Sequence, residues 1–507
     1  MRSRGWVLAG KDAVLAPCTA FRPRLNKKVV SMTHGEIRAV TTPGLATLSL
    51  MLSVGIGCAE GSLHVDPTFG QKNNDDMPAG VVSISLGYGN DYATDVAIGP
   101  DGKILVVGHI SNGQSNDIVV LGYTADGAFD QDFGGRRNDR MPEGVIRFSL
   151  GEANDFGAAI AVGADGKMVV AGNHDEGPGS RVFVSRRQPD GMPDPSFGGA
   201  GDSIDSGMVE VSVATGSYTA RDLALQPDGK IILVGDSETA GGPSKIAVTR
   251  LTSDGSPDLT FGSPVNTSRH GFVLTSVGEG DHRAEALVVQ DDGKIVVVGQ
   301  YVAKDGSSDV LVARYDASGQ PDASFGGKDG TANDGAFSIS LSDGNDVPRD
   351  VALQADGRII LLADSLATDG STSVTGLRLT ADGDLDRTFG GAEDGRADGL
   401  IVPFPGLKKA AGSTVTVQPD GKLIMVGTHR DGNQREIVLS SYEADGTISQ
   451  TFLDANAGRA HRSLSLSDGD DLAAAAVLHD DKLIVAGGIT AAGHGAINVA
   501  VFRLEME

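Results

Sequence analysis

QPDGKIILVG, Gln226–Gly235, joins a Pro-Asp-Gly turn to a run of β-branched and long apolar residues, the pattern of a hairpin turn entering a buried strand. It returns as GPDGKILVVG at Gly99, GADGKMVVAG at Gly163, QDDGKIVVVG at Gln290, QADGRIILLA at Gln354 and QPDGKLIMVG at Gln418. An eroded seventh copy, LHDDKLIVAG, starts at Leu478. The turn glycines Gly102, Gly166, Gly229, Gly293, Gly357 and Gly421 are 63 or 64 residues apart, and Asp481 stands 60 residues further on in the seventh slot. A second anchor keeps the same step. Asp-x-x-Phe-Gly occurs around Phe69, Phe133, Phe197, Phe261, Phe325 and Phe389, each 64 residues from the last, and degenerates to SQTFL around Phe452. A fixed period held by two unrelated anchors identifies one continuous body of stacked repeats.

Within the first unit the alternation of apolar and polar residues places four strands. Strand a is GVVSISLG (Gly80–Gly87), strand b ATDVAIG (Ala93–Gly99), strand c KILVVG (Lys103–Gly108) and strand d DIVVLGY (Asp117–Tyr123). In the turn between b and c, proline presets φ, aspartate caps the following amides, and glycine takes the left-handed conformation. Strand c is apolar on both faces through Ile104, Leu105, Val106 and Val107, so it must lie inside a sheet that is itself covered on both sides. Those four residues bring about 6–12 kcal/mol of gross burial per unit. Ordering entropy cancels most of it, so only the closed set of units is expected to fold. The expected fold is all-β: a seven-bladed β-propeller with four antiparallel strands per blade and about 64 residues per repeat. The last unit ends after INVAVFRL (Ile497–Leu504) without an Asp-x-x-Phe-Gly segment, and the missing piece stands at the other end as LHVDPTFG, Leu63–Gly70. Complementary ends are what a ring requires. The blade is either a-b-c-d or b-c-d with the next a, and the long d-to-a connection leans toward the former.

The Asp-Gly-x-x-Asp-x-x-Phe-Gly segment, followed by PDGKILVVG and a strand ending in Arg, resembles the delta-60 repeat of bacterial exported proteins. The likeness covers residues 61–507. Its units here are slightly longer than the family name implies, and the seventh departs with Ser449 for the aspartate and Leu453 for the glycine. The resemblance implies a propeller-like fold and carries no established activity.

The 507 residues include 71 glycines and only 5% aromatics, which suits short strands and tight turns. Residues 1–58 hold 8 Lys/Arg and 2 Asp/Glu, a net of +6, which leaves −31 on the rest of a −25 chain. An acidic body of that size repels phosphate backbones, so no nucleic-acid partner is expected. The charge is spread over all units and is read as a solubilising surface. Cys18 and Cys58, the only two cysteines, both precede the repeats, so the repeated body has no disulfide and no thiolate.

Residues 1–60 read as a leader. Leu45–Gly57, LATLSLMLSVGIG, is short for a membrane span and suits the apolar region of a secretory signal. Two cleavage readings remain. Ile56, Gly57 and Cys58 resemble a lipobox, with Gly55 where leucine or valine is usual, which would make Cys58 the lipid attachment residue. Alternatively Gly57-Cys58-Ala59 is an ordinary small-x-small site before Glu60. Met32 would give a charged region of normal length before the signal, so residues 1–31 are read either as an upstream stretch or as a basic cytoplasmic arm. The expected location is the cell envelope, as a lipoprotein on the outer membrane or cell surface, or else the periplasm or the medium. Contact with the membrane is expected only through the lipid.

Each candidate for chemistry has a structural reading beside it. Strand d carries Arg186, Arg250, Arg314, Arg378 and Arg503 in one column, with Gly122 and Ser441 in the other two units. Five equally spaced arginines are read as repeated ion pairs with an aspartate of the neighbouring loop, against an anion-binding ring. Asp91, Asp155 and Asp346 before strand b, and the run Asn73–Asp76, offer oxygens for calcium, but no loop shows the ligand spacing of a calcium site, so they are read as turn caps. Gly235-Asp236-Ser237 resembles a hydrolase serine motif, yet other units read Gly-His-Ile, Gly-Asn-His and Gly-Gln-Tyr, so it is taken as a variable loop start. No GxSxG, HExxH or phosphate-binding glycine loop occurs, and the ten histidines make no metal spacing. No catalytic, cofactor or metal residue is therefore assigned, and no cofactor is expected. The expected function is a monomeric binding or protein-interaction scaffold for a protein or glycan, with the c-to-d loops Asn173–Arg181 and Thr428–Glu436 as its recognition face. The alternative is a hydrolase or lyase acting on a glycan or ester at the channel mouth. That would need one or two blades to break the symmetry with acidic residues or histidine, and the linear sequence shows no such cluster.

Overall fold

The computed structural model describes residues 64–506 apart from 71–77, 135–140, 176, 178, 199–206, 214–215, 240, 263–270, 327–334, 369, 391–397, 450–460 and 491–495. Cys58, the run Asn73–Asp76 and Phe452 lie outside the described residues. Seven antiparallel sheets and no helix make up the described body, a seven-bladed β-propeller with four strands to the blade.

Blade 1 is Tyr92–Ile98, Ile104–Ser111 and Asn116–Tyr123 with Val145–Phe148 of the next unit at its outer edge. The phase is therefore b-c-d plus the next a, contrary to the lean toward a-b-c-d. The long d-to-a connection does not cross to another sheet; it folds back on its own strand d. Asp130 N donates to Gly122 O (2.9 Å), Gly122 N donates to Gly144 O (2.8 Å), and strand a then pairs along strand d. Blades 2 to 6 repeat this order.

The strands b, Tyr92–Ile98, Asn154–Val162, Gly216–Leu225, Asp281–Val289, Asn345–Leu353, Ala410–Val417 and Asp471–His479, contact one another in sequence, and the last contacts the first. They surround the central channel. All seven depart from regular pairing at one column, between Ala93/Asp95, Gly157/Ala159, Ala220/Asp222, Ala284/Ala286, Pro348/Asp350, Gly412/Thr414 and Ala473/Ala475. A bulge adds a residue and bends the strand, which lets each inner strand curve around the axis.

Strand c carries the core as its composition demands. Ile104 and Val106 enter the apolar cluster between blades 7 and 1, while Leu105 and Val107 enter the one between blades 1 and 2. Successive residues of one strand thus seal two different blade junctions, and the seven clusters correspond to the seven junctions.

Both ends of the repeated body meet in blade 7. Strand d there, Ile497–Glu505, pairs with Val81–Ile84 (Val81 opposite Phe502) and with His64–Val65 (His64 opposite Glu505). The complementary ends read from the sequence are this closure.

Six b-to-c turns hold glycine at φ of 78–88° in the last slot. In the first of them Asp101 Oδ1 accepts the Lys103 amide at 3.2 Å. The seventh turn is of a different kind. His479 pairs directly with Lys482, and Asp480 and Asp481 adopt φ of 48° and 59°. Positive φ at both central residues is the type I′ hairpin that Asn-Gly fits best. The shorter unit therefore absorbs the missing glycine by changing turn type. The double substitution Asp480→Asn/Asp481→Gly is expected to stabilise the protein by about 1 kcal/mol, read as a higher denaturation midpoint in urea. An unchanged midpoint would refute the assigned turn strain.

Candidate functional site: the loop face and channel mouth

The two faces of the ring differ in chemistry. One carries the b-to-c turns and the d-to-a connections, and there the repeated charges are spent on structure. Arg250 Nε bonds Asp258 Oδ2 at 2.7 Å, its Nη2 bonds Thr260 Oγ1 at 3.1 Å, and its Nη1 crosses to Ala317 O of the next blade at 2.5 Å. The guanidinium lies 4.5 Å from the centroid of the Phe261 ring. Arg186, Arg314, Arg378 and Arg503 repeat the pattern with Asp194, Asp322, Asp386 and Asp66. The arginine column is the structural ion pair expected of it, extended into a staple between blades. Lys230 adds a second cation at 3.6 Å from Asp258, as Lys482 does at 2.6 Å from Asp66. The cations and the Ser/Thr donors two residues on hold these carboxyls below the usual range against the opposing effect of burial, that of Asp322 at about 2. In blade 6 both partners are gone together: Ser441 replaces the arginine and Ser449 the aspartate.

The opposite face carries the a-to-b and c-to-d connections. Asp91, Asp155 and Asp346 are buried there, and each caps its own loop. Asp91 Oδ2 accepts Leu86 N at 2.8 Å, Asp155 Oδ2 accepts Leu150 N at 2.9 Å, and Asp346 Oδ2 accepts Leu341 N at 2.6 Å. The turn-cap reading describes this geometry. In blade 4 His282 takes the place of the aspartate, and its Nε2 lies 2.8 Å from Val277 N.

Two readings of the loops are corrected. Gly235-Asp236-Ser237 is not a loop start but lies inside strand Ile231–Thr239. Asp236 Oδ1 accepts Ala284 N of the next blade at 2.7 Å, as Asp364 Oδ1 accepts Gly412 N at 2.7 Å and Asn173 Oδ1 accepts Ala220 N at 2.7 Å. In four blades this variable column makes one inter-blade bond with different side chains, Thr428 Oγ1 accepting Ala473 N at 3.3 Å being the fourth, while Gln300 instead donates to Asp346 O at 3.2 Å. Thr428–Glu436 is a paired hairpin closed by Gly432-Asn433, with Asp431 opposite Gln434. Extended pairing leaves little of it as free loop. In Asn173–Arg181, Asn173 and His174 are buried, and His174 Nδ1 lies 2.5 Å from Asp155 Oδ1.

The channel breaks the repeat symmetry, which the linear sequence concealed. The bulged column reads Thr94, Ala158, Arg221, Glu285, Arg349, Ser413 and Ala474 around the ring. Blades 3, 4 and 5 therefore form a charged sector, with the exposed Arg283 two residues before Glu285. Arg221 pairs with Asp236 and Arg349 with Asp364, at 2.8 and 2.7 Å. Burial, helped by Asp236 and opposed by Arg221 and Arg349, raises the Glu285 carboxyl. One position on, Asp95, Asp222 and Asp350 join neighbouring inner strands: their Oδ2 atoms accept Ile160 N, Leu287 N and Val415 N of the next blade, each at 2.8 Å. Burial pushes Asp95 and Asp350 up to about 6, and burial plus the other two carboxylates pushes Asp222 up to about 8. Repeat alignment by column would have found this sector, but only once the bulge marked the column. Among the described residues no group of His, Cys, Asp or Glu is placed to hold a metal ion.

At the mouth, between blades 2 and 3, a cleft of about 430 Å³ is lined by Phe156, Asn173, Asp175, Ser217, Thr219 and Arg221 with the glycines of the blade 2 loop.

Five segments, residues 99–133, 163–197, 226–261, 290–325 and 354–389, match the family described as "Domain of unknown function (DUF5122) beta-propeller". The repeats thus fit a propeller repeat family. Each matched segment runs from the b-to-c turn through strands c and d to the Asp-x-x-Phe motif, so it leaves out strand b, which lines the channel. No curated protein matches the chain in sequence. Among solved structures it is similar to the polysaccharide lyase Uly1, with 10% identity and a TM-score of 0.48 over 80% of this chain and 88% of that one. It is also similar to a PL25 ulvan lyase, with 13% identity and a TM-score of 0.47 over 83% and 96%. A glucose dehydrogenase gives 14% identity and a TM-score of 0.37 over 68% and 96%. At such identities these likenesses concern the propeller fold alone.

Proposed function

We propose that this propeller is an exported binding protein that meets its ligand with the face carrying the c-to-d loops and the channel mouth. The observation that carries the reading is the division of labour between faces. The repeated Arg–Asp–Phe chemistry occupies one face and is fully engaged there, whereas the c-to-d loops and the bulged inner-strand column, whose described residues differ between blades, lie toward the other. Binding residues are disproportionately found on loops held by a rigid scaffold. The delta-60 resemblance and the apolar run before Cys58 support an envelope lipoprotein, anchored through Cys58 and otherwise outside the membrane.

The reading is tested with photocrosslinking residues at Asp175 and Asn433 on the loop face and at Asp228 and Asp292 on the opposite face, in cells producing the full chain. Crosslinked adducts are expected from the first pair only; adducts from the second pair alone would reverse the assignment. For the anchor, a globomycin-sensitive shift of the processed form is expected, absent in Cys58→Ala. Identical processing of Cys58→Ala and the parent chain would remove the lipid.

A further inference from the structure

We propose that the cleft between blades 2 and 3 is a saccharide-binding site, taking a mono- or disaccharide unit through its hydroxyls and one ring face. This rests on the loop-face reading and gives it a ligand class.

The column two residues before the bulged position reads Tyr92, Phe156, Thr219, Arg283, Val347, Ala411 and Leu472. Taken with the bulged residue of the following blade, only one junction joins an aromatic ring to an arginine, Phe156 with Arg221. The cleft opens at that junction. Its size falls within the range of small-molecule sites.

Its walls are committed to the fold only in part. Asn173 forms the floor and is fixed by the fold, accepting Ala220 N at 2.7 Å and donating to Ala220 O at 3.0 Å. Arg221 gives Nε and Nη2 to Asp236, which balances its charge and leaves Nη1 as a donor. Ser217 Oγ accepts Ser180 N at 2.8 Å, so its own proton is free to donate. Thr219 adds a half-buried hydroxyl, and Asp175 stands exposed at the lip as a carboxylate acceptor. Phe156 is half-buried, held edge-to-face by His109 with centroids 5.0 Å apart. With the arginine neutralised in place by Asp236, the site offers donors, an apolar ring and one carboxylate acceptor, Asp175, and no net positive charge. Vicinal hydroxyls on a ring with one apolar face match that set. A bare anion would lack the charge, and a hydrocarbon would strand the polar groups.

The cleft is also preorganised and open. His174 and Asp155 hold the base of the loop, buried and 2.5 Å apart. At the rim a Cβ on Gly179 would meet nothing closer than Ser217 Cβ at 3.9 Å. Position 179 lines the cleft and has room for a Cβ, so it is the place to introduce a blocking side chain.

The test applies the full-length protein to an immobilised array of neutral and uronate-terminated oligosaccharides and measures the best binder by calorimetry. Gly179→Trp is expected to abolish the binding with an unchanged melting temperature. Asp175→Ala and Arg221→Gln should each weaken it about tenfold or more, the loss of one charge-assisted hydrogen bond. Neutral ligands should bind with little dependence on salt. The proposal is overturned if no saccharide on the array binds, or if Gly179→Trp binds as the parent does. A loop-face crosslink that persists in Gly179→Trp would leave the face assignment standing and remove the saccharide cleft alone.

Discussion

Replacing Arg250 by alanine is expected to destabilise the protein by about 3–5 kcal/mol, the loss associated with removing one partner of a buried ion pair. Arg250 and Asp258 are 5–6% exposed, so water cannot take over what the guanidinium provides. Four interactions go at once: the Asp258 pair, the Thr260 bond, the Ala317 carbonyl of the next blade and the stacking on Phe261. Lys230 remains 3.6 Å from Asp258 and keeps the effect toward the lower end of the range. Blade 6 shows how the protein itself omits the pair, with Ser441 and Ser449 in the two positions. The double substitution Arg250→Ser/Asp258→Ser should therefore lose less than Arg250→Ala, because no charge is left behind. Urea denaturation of the two variants checks both statements. An Arg250→Ala protein within about 0.5 kcal/mol of the parent would mean that the staple contributes nothing beyond a surface pair.

The second large effect is on pH dependence, and two sets of aspartates push in opposite directions. On the structural face, Asp322 is held at about 2, and Asp66, Asp194, Asp258 and Asp386 are also lowered. A depressed folded value gives stability that is present above the unfolded value near 4 and is lost as pH falls through the folded one. For Asp322 the difference of roughly two pH units amounts to about 2–3 kcal/mol. In the channel, Asp95 and Asp350 are raised to about 6 and Asp222 to about 8. A raised folded value works the other way: its contribution is complete below the unfolded value and disappears as pH rises through 6 and then 8. Stability should therefore peak near pH 4–5, fall steeply toward pH 2 and decline more gently toward pH 8. Midpoints of urea unfolding across that range measure it. Asp222→Asn should flatten the limb between pH 6 and 8 while leaving the acid limb intact; an unchanged slope there would remove the channel carboxylates from the account.

The contrast between these two sets shows what could be read in advance. The arginine column and Asp-x-x-Phe-Gly stand eight residues apart in the same unit, so their pairing is local enough for spacing to suggest it. Asp95 and Ile160 are 65 residues apart and meet only because strand b of each blade lies beside strand b of the next. Asp236 and Ala284, 48 residues apart, likewise meet only because strand c of one blade lies beside strand b of the next. Read along the chain, Asp236 is one of several unlike residues after a glycine, and variability there looks like a loop. Read across the junction, Asn173, Asp236, Asp364 and Thr428 each present an oxygen to the corresponding backbone amide of the next blade.

The amino-acid sequence alone determined the number of blades, the strands within each, the double-sided burial of strand c and the closure of the ring by both ends. Those follow from periodicity and from the local rules of turns and alternation. Tertiary structure alone decided the blade phase, the seven bulges and the assembly of Phe156, Thr219 and Arg221 with the blade 2 loop into one cleft. The physical reason is that a bulge shifts which residues face the axis by one position, and one position is invisible in a repeat whose side chains there share no common type. The Pro-Asp-Gly turn of Gln226–Gly235, legible from the start, lies on the face where the arginines bond the next blade; the cleft residues Phe156, Thr219 and Arg221 come together at the other.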